Sequence, residues 1–190
     1  MQKTLVIDSS LGTTQVGLGF GMEGDCLTSE TPTLESLFQL IDSLLQTHAL
    51  SLDRLGAIVY CEGPGSTLGI RIACMAIRTW KMLFPTLKIY SYRNLECAWE
   101  AMGQPNATLY SPHNQNTLNR LQKIDGRFAW SVIEKATLAV NDSAYFVGPR
   151  NDLFSQYCPY SLQALMPFLQ DSLMTEKQLC DIDAFVPLLS

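Results

Sequence analysis

Apolar and polar positions alternate along the first hundred residues in two distinct periods. Thr4 to Ile7 is a short β-rich run, stopped by the turn residues Asp8-Ser9-Ser10-Leu11-Gly12. Val16 to Phe20 alternates with glycine, and Asp25 to Thr28 resumes after Glu23-Gly24, so three strands in an antiparallel meander are expected. Leu34, Leu37, Phe38, Ile41, Leu44 and Leu45 then recur at three and four residues, which predicts one face of a helix over 34–48. Ala57 to Tyr60 reads as a buried strand, Glu62-Gly63-Pro64-Gly65-Ser66 as a loop and Leu68 to Phe84 as a helix ended by Pro85. A strand over Leu87–Tyr90 and a helix over Leu95–Met102 complete the unit. The order β-β-β-α-β-α-β-α predicts an α/β architecture, with helices covering a mixed sheet.

Gly103-Gln104-Pro105-Asn106 marks a boundary, dividing the chain into 1–102 and 103–190. Beyond it Ala107–Tyr110, Leu118–Ile124 and Phe128–Ile133 read as a second three-strand meander. Tyr145–Val147 reads as a further strand and Leu162–Leu169 as a helix that ends near Leu173. The second half is expected to be a shortened echo of the first.

Composition narrows the function classes. Of the 190 residues, 47% are hydrophobic and 16% charged, against about 25% charged in an average soluble domain. That excludes a disordered chain and implies that part of the surface is covered by something other than water. The 13 basic and 18 acidic residues give a net charge of −5, with no dense basic stripe, so strong direct binding to nucleic acid is not expected. The six cysteines include no C-x-x-C pair, no signal sequence opens the chain, and no apolar stretch reaches the roughly 18 residues that span a bilayer. A reduced, soluble, cytoplasmic protein without membrane contact is expected.

Two segments carry candidate chemistry. In Gly63-Pro64-Gly65-Ser66-Thr67-Leu68-Gly69, the glycines allow close backbone approach and Ser66 is placed to cap the following helix. The segment reads either as a tight structural turn or as an anion cradle at a helix start; the Gly-Lys-Ser/Thr ending of a Walker loop is absent. Asp8 and Ser10 at the end of the first strand could hold a metal–phosphate group, or could close an Asx turn. The helix over 68–84 leaves only Arg71, Arg78 and Lys81 as a thin polar edge, so it demands cover on two sides. His48 and His113 fit no helix-borne metal spacing, no G-x-S-x-G elbow occurs, and Asp125 with Glu134 is the one carboxylate pair to consider. No metal site or catalytic residue is assigned.

Leu5-Val6-Ile7-Asp8-Ser9-Ser10, Leu52-Asp53-Arg54-Leu55-Gly56-Ala57-Ile58 and Gly63-Pro64-Gly65-Ser66-Thr67-Leu68-Gly69-Ile70-Arg71-Ile72-Ala73 resemble the TsaB family, also called YeaZ. The ending Phe185-Val186-Pro187-Leu188-Leu189 is similar to that family's closing strand. The resemblance implies an actin-like fold of two lobes related to Hsp70-type and sugar-kinase ATPases, the second lobe shortened. It implies a non-catalytic subunit for making threonylcarbamoyladenosine in tRNA, docked on a TsaD-like paralogue and joined by a TsaE-like ATPase. Docking would use the first two helices, through Leu37, Phe38, Ile41, Leu44 and Leu45 on one and Ile70, Arg71, Ala73, Met75, Ile77 and Trp80 on the other.

Asp8, Ser10, Gly63, Gly65 and Ser66 are the residual nucleotide contacts the resemblance leaves. The chain is expected to hold no cofactor by itself, with ATP or ADP at the partner interface as the one place for a nucleotide. The family's Phe-Thr is Thr67-Leu68 here, its last loop glycine is Ala73, and the His-Ser that starts its first helix is replaced by Thr33-Leu34. The alternatives are an ATPase or small-molecule kinase of the same fold, and a homodimer formed through the same apolar helices.

Overall fold

The elements expected over residues 1–102 form in the expected order. The computed structural model describes residues 3–19, 24–103, 106–138, 140–141, 143–148, 151–158, 160–169 and 172–183. Strands β1 (Lys3–Asp8), β2 (Thr14–Leu18) and β3 (Asp25–Ser29) lead into helix α1 (Thr33–Thr47). Then come β4 (Leu55–Cys61), α2 (Thr67–Leu83), β5 (Lys88–Tyr92) and α3 (Asn94–Met102). The second half contains β6 (Thr108–Pro112), β7 (Thr117–Ile124), β8 (Arg127–Glu134) and β9 (Ala144–Phe146), followed by α4 (Leu162–Leu165), β10 (Thr175–Glu176) and α5 (Leu179–Asp183). Phe20 and the expected closing strand over 185–189 lie outside the described residues.

Two sheets result. The first has the order β10-β5-β4-β1-β2-β3, and the second β8-β7-β6-β9. In each, a three-strand antiparallel meander is followed by a strand laid parallel to the meander's first: β4 beside β1, and β9 beside β6. The expected echo is thus a repeat of topology. It is shortened, because among the described residues only a 3₁₀ turn at Lys135–Thr137 forms between β8 and β9, where the α-helix α1 stands between β3 and β4.

Alternation along the strands sets two cores, one on each face of the first sheet. Leu5, Ile7, Ile58, Tyr60 and Ile89 face α1 and α2. Val6, Val59, Cys61 and Tyr92 face the other way, toward α3, Leu109 and Leu121 of the second sheet, and Leu162 and Met166. The chain then returns to the first sheet: β10 pairs with β5, and Ile182 of α5 is fully buried in the α1–α2 core. Residues beyond 103 therefore also build the first sheet and its α1–α2 core, through β10 and Ile182, and the boundary at 102/103 does not divide the chain cleanly between the two sheets. The helix expected over 162–169 is a single turn continued by a 3₁₀ turn at Met166–Phe168, because Pro167 cannot extend it. No helix among the described residues is long and apolar enough to cross a membrane.

Candidate functional site

Asp8 ends β1 with its side chain 1% exposed, and both carboxylate oxygens are filled from within the chain. Oδ1 accepts the Ser10 backbone N–H at 2.9 Å and the Ser10 hydroxyl at 2.7 Å, which is the Asx turn read from the sequence. Oδ2 accepts the Tyr92 hydroxyl at 2.7 Å and the Tyr160 hydroxyl. Burial first, and then the Asp8 charge, push both tyrosines well above their ordinary pKa, so both remain donors. Ser10 is equally buried; its hydroxyl accepts Asn94 Nδ2 at 3.0 Å and the Cys61 thiol at 3.4 Å.

The glycine-rich loop packs directly on this turn. Ser66 N–H donates to the Ser10 carbonyl at 2.6 Å, and Asn94 Nδ2 donates to the Pro64 carbonyl at 2.7 Å. A Cβ on Gly65 would run into the Ser10 carbonyl, and one on Gly69 into the Ser9 carbonyl, both far inside contact distance. Ser66 caps α2, its hydroxyl accepting from Gly69 N–H at 3.2 Å. The glycines serve an approach of backbone to backbone, and of the two readings of this segment the geometry takes the structural turn. Gly69→Ala is expected to lower the urea midpoint by an amount equivalent to about 2–3 kcal/mol, the usual cost of overpacking. An unchanged midpoint would show that the two backbones can separate.

As nucleotide contacts, Asp8 and Ser10 are disfavoured, because their donors and acceptors are used within the chain and leave a metal–phosphate group no free carboxylate oxygen or hydroxyl. Ser66 is exposed at the start of α2, and its hydroxyl accepts the Gly69 N–H. Gly63 and Gly65 do line open space, in two adjoining clefts of about 440 and 390 Å3 that share Glu62, Pro64 and Asn119. Trp130 and Arg93 border the first cleft, and Arg71 and His113 the second. Neither cleft contains Asp8. Asp125 sits in the β7–β8 turn and Glu134 at the far end of β8, so these carboxylates are not a pair. No group of three metal-ligating side chains occurs among the described residues.

Glu62 anchors the cleft floor. Burial pushes its carboxyl up, but Lys177 at 2.9 Å and Ser91 at 2.8 Å, with Arg93 at 3.3 Å, more than offset this and hold it below the ordinary value of 4.5. A lowered folded-state pKa contributes stability that is present above the unfolded value and lost as pH falls through the folded one. Wild type should therefore lose stability on acidification below pH 4.5 more steeply than Glu62→Gln. Parallel acid-side denaturation curves would sink this assignment. Five of the six cysteines offer no reactive thiolate: burial raises Cys26 and Cys158 to about 11 and Cys74 to about 12, and pushes Cys61 and Cys97 up as well.

The other feature is a groove of about 270 Å3 between α1 and α2, lined by Leu34, Phe38, Ile72, Met75, Ala76, Thr79 and Trp80. Leu34 is 69% exposed, Phe38 47% and Met75 56%. Phe38 stands edge-on to Trp80, ring centres 6.1 Å apart. The residues expected to meet a partner divide here. Leu37, Ile41, Leu44, Leu45, Ile70, Ala73 and Ile77 are buried in the chain's own core, against the first sheet. Turning any large one outward would forfeit about 1.5–3 kcal/mol, so this part of the expected interface is corrected to core. Phe38, Arg71 and Met75 are exposed, and Trp80 is buried yet still lines the groove. Leu34, Ile72, Ala76 and Thr79 complete the groove outside the expected set. Tyr92, Asn94 and Tyr160 were beyond sequence reasoning, lying 84, 84 and 152 positions from the residues they bind.

Fold and site define a two-sheet α/β protein whose strand-end carboxylate is consumed by its own framework and whose first two helices present an apolar groove. Solved structures share this fold. YeaZ from Pseudomonas aeruginosa matches with a TM-score of 0.62 at 17% identity, over 77% of this chain and 76% of that one. An uncharacterized protein with similarity to peptidase YeaZ from Pseudomonas aeruginosa matches with a TM-score of 0.65 at 16% identity, over 88% and 90%. No protein-family profile and no curated protein matches the chain. The resemblance read from Asp8–Ser10 and Gly63–Ala73 is therefore met at the level of fold.

Proposed function

We propose that this chain is a TsaB-like, non-catalytic subunit of the machinery that makes threonylcarbamoyladenosine in tRNA, and that it docks on a TsaD-like paralogue through the α1–α2 groove. The observation that carries the reading is the groove itself. Soluble proteins seldom leave a leucine, a phenylalanine and a methionine at about half exposure or more around one continuous depression unless something covers it. Aromatic and methionine side chains are also those enriched at the centres of protein interfaces. The repeated sheet topology and the likeness to YeaZ structures support the actin-like reading of the fold. The TsaE-like ATPase would join through the paralogue, and ATP or ADP, if used, would lie at the partner interface.

The rival, an ATPase or kinase acting alone, is disfavoured by Asp8, whose four hydrogen bonds leave nothing to bind magnesium. A homodimer through the groove is the other competitor for the same surface. Mixed with the TsaD-like paralogue of its organism, the chain should co-elute from a sizing column as a complex. Separate elution at micromolar concentration would contradict the proposal, and heat on titrating Mg-ATP into the isolated chain would favour the enzyme.

A further inference from the structure

The β7–β8 hairpin turns through Asp125 (φ 49°) and Gly126 (φ 76°), the two positive-φ positions of a two-residue turn. Ile124 and Arg127, which flank it, are then a hydrogen-bonded pair, and the alternation that follows decides which backbone groups are used. Arg127, Ala129, Ser131 and Ile133 point N–H and C=O toward β7. The bond from Lys135 N–H to the Asn116 carbonyl, 2.9 Å, continues the same parity. Phe128, Trp130 and Val132 point theirs away, and β8 is the outermost strand of its sheet. Among the described residues these outward groups have no backbone partner.

Exposed edges are ordinarily blunted by shortness, lysine, proline, a bulge or a covering segment. The first sheet follows this practice, with edge strands of five residues and of two. By contrast, β8 has eight residues in unbroken register with β7, and between Arg127 and Glu134 it reads Phe-Ala-Trp-Ser-Val-Ile, without charge or proline. Val132 is 53% exposed.

We propose that β8 pairs antiparallel with β8 of a second copy of this chain, joining two four-stranded sheets into one sheet of eight strands. Pairing on this edge must set outward residue against outward residue. With Trp130 opposite the partner's Trp130, Phe128 meets the partner's Val132, Ala129 the partner's Ser131 and Arg127 the partner's Ile133. Apolar side chains then face one another on the α3 side, and no like charges are opposed. Moving the centre to Ser131 would set Arg127 against the partner's Lys135, which penalises that register. The strand thus complements itself about a two-fold axis, and this selects a second copy over an unrelated strand as the occupant. The edge lies on a different sheet from the α1–α2 groove.

Light scattering on the full chain, from low to high micromolar concentration, should show a monomer–dimer equilibrium. Hydrogen exchange at the Phe128, Trp130 and Val132 amides should slow as the dimer forms. Val132→Pro removes an N–H that β7 does not use, and Val132→Lys adds a charge without touching the backbone; each should weaken the dimer by at least ~10-fold. Should the proline variant fail to fold, the lysine variant decides. Phe38→Asp should leave this dimer intact. A wild type that stays monomeric, a dimer that survives Val132→Lys, or a dimer lost with Phe38→Asp overturns the proposal.

Discussion

Replacing Asp8 with alanine should cost the fold about 3–5 kcal/mol, because it leaves several buried donors unsatisfied at about 1–3 kcal/mol each. The carboxylate takes four hydrogen bonds, and its removal leaves the hydroxyls of Tyr92, Tyr160 and Ser10 without their acceptor. Tyr160 reaches Asp8 from 152 residues away, so the same substitution releases the segment before α4 from the end of β1. Tyr160→Phe removes one donor and keeps the ring, and should cost about 1–3 kcal/mol. Urea denaturation of both variants reads the effect. If Asp8→Ala loses less than Tyr160→Phe, the carboxylate is not the hub described here. A metal-binding aspartate behaves in the opposite way, since removing it commonly relieves repulsion and spares the fold.

Phe38→Asp carries the second large effect, on association rather than on folding. Phe38 is 47% exposed and makes a T-shaped contact with Trp80, so fold stability should fall by no more than about 1 kcal/mol. At an interface the change removes an aromatic side chain from the centre of the groove and buries a charge there. Losses at such positions reach about 2 kcal/mol or more, or roughly 30-fold in affinity. Leu37→Asp, one position earlier on the helix, should do the reverse: it introduces a charge into the core and unfolds the chain, because Leu37 is fully buried against the first sheet. Melting curves with binding measurements on the pair separate surface from core.

Much of the fold was legible because local chemistry and burial agree over residues 1–102. Glycine and aspartate punctuate the meander, and Pro85 stops α2 one residue after its cap. The helical stripe was read correctly as a stripe, but most of it packs on the first sheet and only Phe38 of the stripe on α1 reaches the groove among the residues expected there. Spacing reports that Leu37, Ile41 and Phe38 share a side of α1, but not that the sheet covers the first two and leaves the third to the groove. The loop glycines announced a close approach without saying to what, and the answer, the carbonyls of Ser9 and Ser10, lies more than fifty residues upstream. The tyrosine clasp on Asp8 had no sequence signal, since nothing local marks Tyr92 and Tyr160 as its donors. In the second half, β7 and β8 were readable from alternation, whereas the return of the chain through β10 and α5 rests on only a few residues, too short for any period.

The central claim is that the chain acts through the outer surface of α1 and α2 rather than through its clefts. Backbone hydrogen exchange of the chain, alone and mixed with a TsaD-like paralogue from the same organism, tests it most directly. The account predicts slowed exchange in the complex at Leu34–Phe38 and Ile72–Trp80, with Glu62–Gly65 and Pro112–Asn119 unchanged. Protection confined to those cleft segments, or an exchange pattern identical with and without the paralogue, would contradict it.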